Sequence, residues 1–353
     1  MKKYFVQEET GKDQSALSKA RQDVSFILKK NHWAALDIHR KRTSQSKYVH
    51  YIRMLFWTNL DWIKIGNQIE PDSVLLIQFP FLNSLVFNKM AARYITNLKK
   101  KKNVKVILLI HDIDSIRFPQ EAVKQYSHER VFWDLSDVII AHNNRMKEYL
   151  LEQKVKSHII TLQVFDYIGN LSVVSEERRD GSIVIAGNLD GNKAGYLRKL
   201  KGIKDCDFSL YGPGFEKQME ADNIIYRGAY PSDQLAENIQ GSWGLVWDGV
   251  SADTCTGAYG VYLRYNNPHK VSLYISLSLP VIIWKEAAEA SFVEENRIGI
   301  TVDSLDELGE KLKDISGEKY AEIEENIKNI SSKLCTGGYL LDAVEKSLRY
   351  LEK

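Results

Sequence analysis

Lys270 is the side chain whose neighbours most suggest chemistry. In the stretch 266–284, NNPHKVSLYISLSLPVIIW, it opens about two turns of a predicted helix carrying Val271, Tyr274 and Leu277. Leu279 and Pro280 end that helix, and 281–284 reads as a buried strand. Backbone N–H groups at a helix start, reinforced by a lysine, favour phosphate oxygens. A helix with Pro268 at its first position and a solvated lysine fits the same residues equally well. A second candidate follows the apolar run 104–110, where His111 precedes Asp112-Ile113-Asp114. Those carboxylates read either as a short Asp-x-Asp metal signal or as caps of the next helix. Two glycine-bearing turns follow further predicted strands: Gly187-Asn188-Leu189-Asp190-Gly191 and Tyr211-Gly212-Pro213-Gly214. Glycine lets a backbone approach a ligand closely, and an ordinary turn accounts for the same spacing.

These residues need a frame to hold them. At 353 residues the chain exceeds what one core usually serves, so two domains are expected. Short apolar runs at 4–7, 32–38, 74–79, 104–110 and 137–141 alternate with helical patterns at 15–30, 46–65, 84–98 and 145–152. That alternation is the signature of βαβ units on a parallel sheet. Polar, aperiodic sequence at 164–180 marks a linker, after which the pattern restarts with strands at 182–186, 208–211, 224–226 and 244–247 and helices at 195–201 and 232–238. The last stretch, 312–351, reads as helix interrupted at Thr336, Gly337 and Gly338. The fold class is therefore α/β, with two doubly wound halves.

A formal charge of +2, from 48 basic and 46 acidic residues, gives no global case for nucleic-acid binding. Cys206, Cys255 and Cys335 are few, far apart and without metal-ligand spacing, which fits a reducing compartment. The first residues lack the apolar core of a signal peptide, and no stretch reaches the ~18 apolar residues of a membrane span. A cytoplasmic protein is expected. Basic and aromatic residues intermingle at 40–64 (Arg40, Lys41, Arg42, Arg53, Phe56, Trp62, Lys64), which reads as a helix with one core face or as a contact with an anionic membrane.

Lys270, Tyr274, Leu279, Pro280, Val281 and Ile282 match in register the C-terminal-domain signature of nucleotide-sugar glycosyltransferases with the GT-B fold, which the segment resembles. Leu273 stands where many such enzymes keep a ribose-binding glutamate, and Ser278 stands where glycine is usual. These departures resemble a side branch containing streptococcal and lactobacillal glucosyltransferases of serine-rich adhesin glycosylation and β-1,6-galactofuranosyltransferases. The sequence Lys19-Ala20-Arg21 with Asp23, after the loop 9–15, is similar to the opening of the galactofuranosyltransferases, although Leu17 and Ser18 replace their Ala-Gly pair.

The resemblance implies two Rossmann-like domains facing a cleft: an acceptor-binding domain at 1–168, a nucleotide-sugar-binding domain at 181–335, and a terminal helix at 336–353 that crosses back to the first domain. It implies transfer of glucose or galactofuranose from a UDP-sugar, with no metal and no further cofactor, to a glycan on a glycoprotein or a lipid-linked polysaccharide intermediate. Donor contacts are assigned to Arg179, Gly187, Asn188, Tyr211, Gly212, Tyr230, Asn267, His269, Lys270 and Ser272, with Arg179 and Lys270 on the diphosphate and Tyr211 beside the base. Asp112 is assigned as general base on the acceptor side, with His111 as runner-up. The competing reading is a noncatalytic sugar-nucleotide-binding subunit of a glycosyltransferase complex. No nucleic-acid partner is expected, while peripheral membrane contact and homo-oligomerisation are left open.

Overall fold

A strand buried on both faces must be apolar along its whole length, and Val74–Phe79 (VLLIQF) and Ile183–Ala186 (IVIA) are of that kind. In a computed structural model, which describes residues 1–9, 16–39, 47–82, 85–169 and 179–353, each of these strands lies inside a six-stranded parallel sheet. The first sheet contains β1 (Lys3–Glu8), β2 (Ala34–Ile38), β3 (Val74–Phe79), β4 (Lys105–Ile110), β5 (Val138–Ala141) and β6 (His158–Thr161), in the order β2-β1-β3-β4-β5-β6. The second contains β7 (Ile183–Ala186), β8 (Phe208–Tyr211), β9 (Ile224–Gly228), β10 (Trp243–Val246), β11 (Val281–Trp284) and β12 (Gly299–Val302), in the order β12-β11-β10-β7-β8-β9. Strand order reverses between β1 and β3 in the first sheet and between β7 and β10 in the second. Doubly wound sheets bind ligands at such points, beyond the carboxyl ends of the strands.

Helices α1 (Ala16–Lys30), α2 (Lys47–Gln68), α3 (Leu85–Lys102), α4 (Asp114–Arg117), α5 (Ala122–Leu135) and α6 (Asn144–Glu152) belong to the first half. In the second are α7 (Ser232–Asn238), α8 (Gly257–Tyr262), α9 (His269–Ser276), α10 (Ala290–Glu295), α11 (Leu308–Lys313), α12 (Gly317–Thr336) and α13 (Gly338–Leu351). Alternation along the strands divides the first core. Tyr4, Val6, Leu75, Ile77, Val106 and Leu108 pack with Trp62, Ile65 and Ile95 of α2 and α3. Phe5, Leu76, Ile107 and Leu109 face the other way, joining Ile27, Leu340 and Val344 in a cluster that continues into the second sheet.

The sequence reading missed β6 and β12, which are only four residues each, and α5, whose apolar residues carry weak helical periodicity. The segment 195–202 forms 3₁₀ rather than α-helical turns. Gly337 ends α12 in the left-handed conformation (φ 89°), where an added Cβ would strike Ile27 at 2.6 Å, so the chain reverses into α13 tight against α1. The carboxylate of Asp166 accepts the N–H groups of Tyr339 and Leu340 at 3.1 and 2.7 Å, tying α13 to the end of the first half, and Tyr350 stacks on His158 of β6. The terminal helix thus crosses back onto the first domain. Among the described residues, no helix is long and apolar enough to cross a membrane.

Between the two sheets lies a buried polar junction centred on Asn267. Its Oδ1 accepts from Asn143 Nδ2 at 2.7 Å, and its Nδ2 donates to the carbonyls of Gln163 and His142 at 2.7 and 3.1 Å. Its backbone N–H donates to His142 Nδ1 at 2.9 Å, which leaves His142 Nε2 to donate to the Ile110 carbonyl. Removing the amide would orphan several buried groups, each costing about 1–3 kcal/mol. Asn267→Ala is expected to lower unfolding stability by about 3 kcal/mol in urea titration. An unchanged midpoint would show that the junction does not depend on it.

Candidate active site

Three loops leaving β7, β8 and β9 touch backbone to backbone. The Gly187 N–H donates to the Tyr211 carbonyl and that of Gly212 to the Gly228 carbonyl, both at 2.9 Å. Gly187 and Gly212 have φ of 131° and 135°, and a Cβ on Gly212 would lie 1.8 Å from the Gly187 carbonyl oxygen. No side chain fits between these loops. Asn188 Oδ1 accepts the N–H of Asp190, which closes the turn after β7.

Lys270 enters at the reversal between β7 and β10. Its Cε is 3.5 Å from where a Cβ on Gly187 would be, and its ammonium donates to Asp248 Oδ1 at 3.0 Å and the Trp247 carbonyl at 3.2 Å. Asp248 and Trp247 follow β10, so the cation stands at the carboxyl edge of the sheet, with the first turn of α9 behind it. The helix begins at His269, after Pro268. The phenol of Tyr274 is buried beneath: it accepts the Ala186 N–H at 3.1 Å and reaches the carbonyls of Val184 and Leu245 at 3.2 Å. Its ring occupies the place a side chain at Gly244 would need. The signature tyrosine therefore clamps β7 to β10.

Several assigned donor contacts are placed elsewhere by the structure. Arg179 precedes β7 and pairs with Glu324 of α12, above the ring of Tyr320, whose hydroxyl donates to the Ser242 carbonyl just before β10. Arg179 and Lys270 thus lie at opposite ends of the second sheet, separated by the length of its strands, so they do not clasp one diphosphate. Tyr211 is buried, its hydroxyl accepting the Gln240 N–H at 2.8 Å, and its ring is not open to a base. Asn267 is consumed by the domain junction. The Ser272 hydroxyl donates to the Phe165 carbonyl at 2.7 Å, away from the cleft. Exposed aromatic surface near the reversal is provided instead by Tyr230 and by Tyr226, which stacks on Phe215 at 4.4 Å.

On the facing side, His111 and Asp112 leave β4. His111 Nε2 lies 2.9 Å from Gln78 Oε1, its Nδ1 is buried without a partner, and its ring stacks on Phe165 at 5.5 Å. His142 and His269 also pack on Phe165, at 4.8 and 4.6 Å. Burial holds all three imidazoles neutral: His111 well below its ordinary value, His142 down to about 3 and His269 to about 4. Asp112 pairs with Arg117 at 2.7 Å, and the hydroxyl of Tyr262 of α8 accepts the Ile113 N–H next to it at 2.8 Å, across the cleft. Desolvation raises the Asp112 carboxyl, pushes Asp114 up to about 6, and pushes Glu129, which accepts from the N–H and hydroxyl of Ser115, up to about 7. Lys19 donates to Asp23 and to the Ile168 carbonyl at the interdomain connection. The loop 10–15 before it, and Arg178, lie outside the described residues.

Asp248, Phe165, Tyr262 and Phe215 were not singled out from sequence. Asp248 alone carried a signal there: an acidic residue and a glycine end the apolar run WGLVW. The others acquire meaning only through contacts from distant segments.

Two parallel α/β domains with ligand-binding edges turned towards each other define a GT-B nucleotide-sugar glycosyltransferase. The chain belongs to the glucosyltransferase 3-like family, whose N-terminal domain matches residues 2–164 and whose C-terminal domain matches 183–347. It is 32% identical over 342 residues to the beta-1,6-galactofuranosyltransferase WbbI of Escherichia coli K12, covering 94% of this chain and 96% of that protein. It is 25% identical over 281 residues to glucosyltransferase 3 of Streptococcus gordonii, covering 78% and 80%. Among solved structures, an alpha-glucosyltransferase in complex with UDP and a DNA 13-mer shares the fold at a TM-score of 0.60 and 12% identity, with 99% of each chain covered. The pneumococcal O-GlcNAc transferase GtfA in complex with UDP and GlcNAc does so at 0.53 and 15%, covering 84% of this chain and 60% of that one. The chain is a hexosyltransferase that uses a UDP-sugar.

Glu129 supplies a pH signature. Its carboxyl keeps a proton in the folded chain up to about 7, whereas the ordinary value is 4.5, so between those values the folded state binds more protons. Stability is expected to fall as pH rises through that window, by up to about 3 kcal/mol. Glu129→Gln preserves an acceptor for Ser115 and should flatten the slope in denaturation series from pH ~4.5 to 7. An identical slope in the variant would assign the dependence to other groups.

Proposed function

We propose that the chain transfers galactofuranose from UDP-galactofuranose to a sugar hydroxyl on a lipid-linked polysaccharide intermediate, without a metal ion. The full-length similarity to a beta-1,6-galactofuranosyltransferase supports the choice of sugar. Breaking the C1–O bond leaves growing negative charge on the departing diphosphate, and catalysis requires fixed positive charge where that charge appears. Lys270 and the first turn of α9, starting at His269, supply it at the β7/β10 reversal, with Gly187, Asn188 and Gly212 admitting the donor. Asp248 aims the ammonium and balances its charge before the donor arrives. Tyr230 and the Tyr226–Phe215 pair flank the uracil.

The acceptor occupies the domain at 1–168 and the donor that at 181–335, with the helix at 336–353 coupling them. Asp112 takes the proton of the attacking hydroxyl, its basicity raised by burial and its carboxylate held by Arg117.

Lys270→Met should cut UDP release from the donor by about 10²–10³-fold. Pairing it with Asp248→Asn removes the orphaned carboxylate, so a thermal melt near wild type would separate lost catalysis from lost folding. Turnover of UDP-glucose but not UDP-galactofuranose would overturn the choice of sugar. Undiminished release by the double variant would remove Lys270 from the mechanism.

A further inference from the structure

Helix α2 is longer than the sheet it covers. Asp61, near its middle, accepts the His39 N–H at 3.0 Å, just beyond the end of β2, while Gly66 and Ile69 at its far end accept from Lys102 before the strands begin again. The residues of α2 before Asp61 therefore run on past the carboxyl edge of the first sheet, on the side of the cleft. Among the described residues this arm is braced by α3: Tyr51 meets Phe87 edge-on and Tyr94 donates to Asn59.

A second side is apolar and exposed. Val49, Ile52, Phe56 and Ile63 recur at helical spacing on one face and are 37%, 49%, 58% and 42% exposed, with Trp57 beside them. Single exposed apolar residues are ordinary, but a continuous stripe is not. Charge around it has one sign. On α2 it is flanked by Arg53 and Lys64, both exposed, while Asp61, the one acid of 47–69, is buried on His39. The adjoining α3 carries Lys89 and Arg93 and no acid.

We propose that the projecting half of α2 docks on an anionic phospholipid bilayer, seating Val49, Ile52, Phe56 and Ile63 at the headgroup boundary while Arg53 and Lys64 meet lipid phosphates. An amphipathic helix with aromatics on one face and cations at its margins binds such an interface in its plane. A second copy of the chain would oppose basic surface to basic surface, and nucleic acid would leave the apolar stripe wet. Docking turns the acceptor edge of the cleft towards the membrane. The inference deepens the proposed lipid-linked acceptor and rests on it for its purpose, though not for its test.

Co-sedimentation with phosphatidylcholine vesicles containing about one-quarter phosphatidylglycerol tests the surface. The full chain should partition to them about tenfold more than to phosphatidylcholine alone, and lose that preference at ~0.5 M salt. Ile52→Ser/Phe56→Ser and, separately, Arg53→Glu/Lys64→Glu should each reduce partition about tenfold while UDP-sugar hydrolysis in solution is unchanged. Equal partition of wild type and both variants overturns the proposal. So does a fall in oligomer mass caused by the serine variant, which would assign the stripe to a second copy, or retention of single-stranded DNA but not vesicles. Vesicle binding with no transfer to a lipid-linked acceptor would instead refute the proposed acceptor and leave the docking surface standing.

Discussion

The amide of Asn267 ties two segments of the first domain, at 142–143 and 163, to the start of the helix that carries Lys270. Because the tie is buried, each of its hydrogen bonds must be made by protein. The cation three residues on is thereby fixed relative to His111 and Asp112, which leave the facing sheet. Two sheets could assemble separately with every strand in place and still fail to present a common cleft. The junction converts two ligand-binding edges into one site.

Much of this was legible in the chain. Strands buried on both faces announced themselves as apolar runs, and the glycines after β7 and β8 marked loops whose backbones nearly touch. Lys270 was found from its helix and strand context. Arg179 was misplaced because a residue just before β7 sits at the amino end of that strand, away from the ligand-binding edge, and its partner Glu324 lies far along the chain in α12. Tyr211 and Asn267 are polar residues in turns, which from sequence look open to a ligand. Burial turned each inward to satisfy backbone groups that the sequence alone does not pair.

The cleft is economical with charge. Three imidazoles gather on Phe165 and burial keeps them neutral, so the groove floor is polarisable without carrying positive charge of its own. Lys270 with Asp248 and Arg117 with Asp112 place one ion pair on each wall. On the proposed mechanism, a dianionic diphosphate entering such a groove meets an ammonium already aimed by Asp248, so little rearrangement is needed as the bond to the sugar breaks.

The contact of Gly212 with the Gly187 carbonyl has a consequence for how this family can diversify. Backbone pressed on backbone leaves no side chain to absorb a change, so lengthening the turn after β8 by a residue would displace the turn after β7 as well. On the proposed donor assignment, base preference and phosphate grip are then inherited as one module. New donor specificities would arise through the exposed rims at Tyr226 and Tyr230, while the turns beneath keep their length.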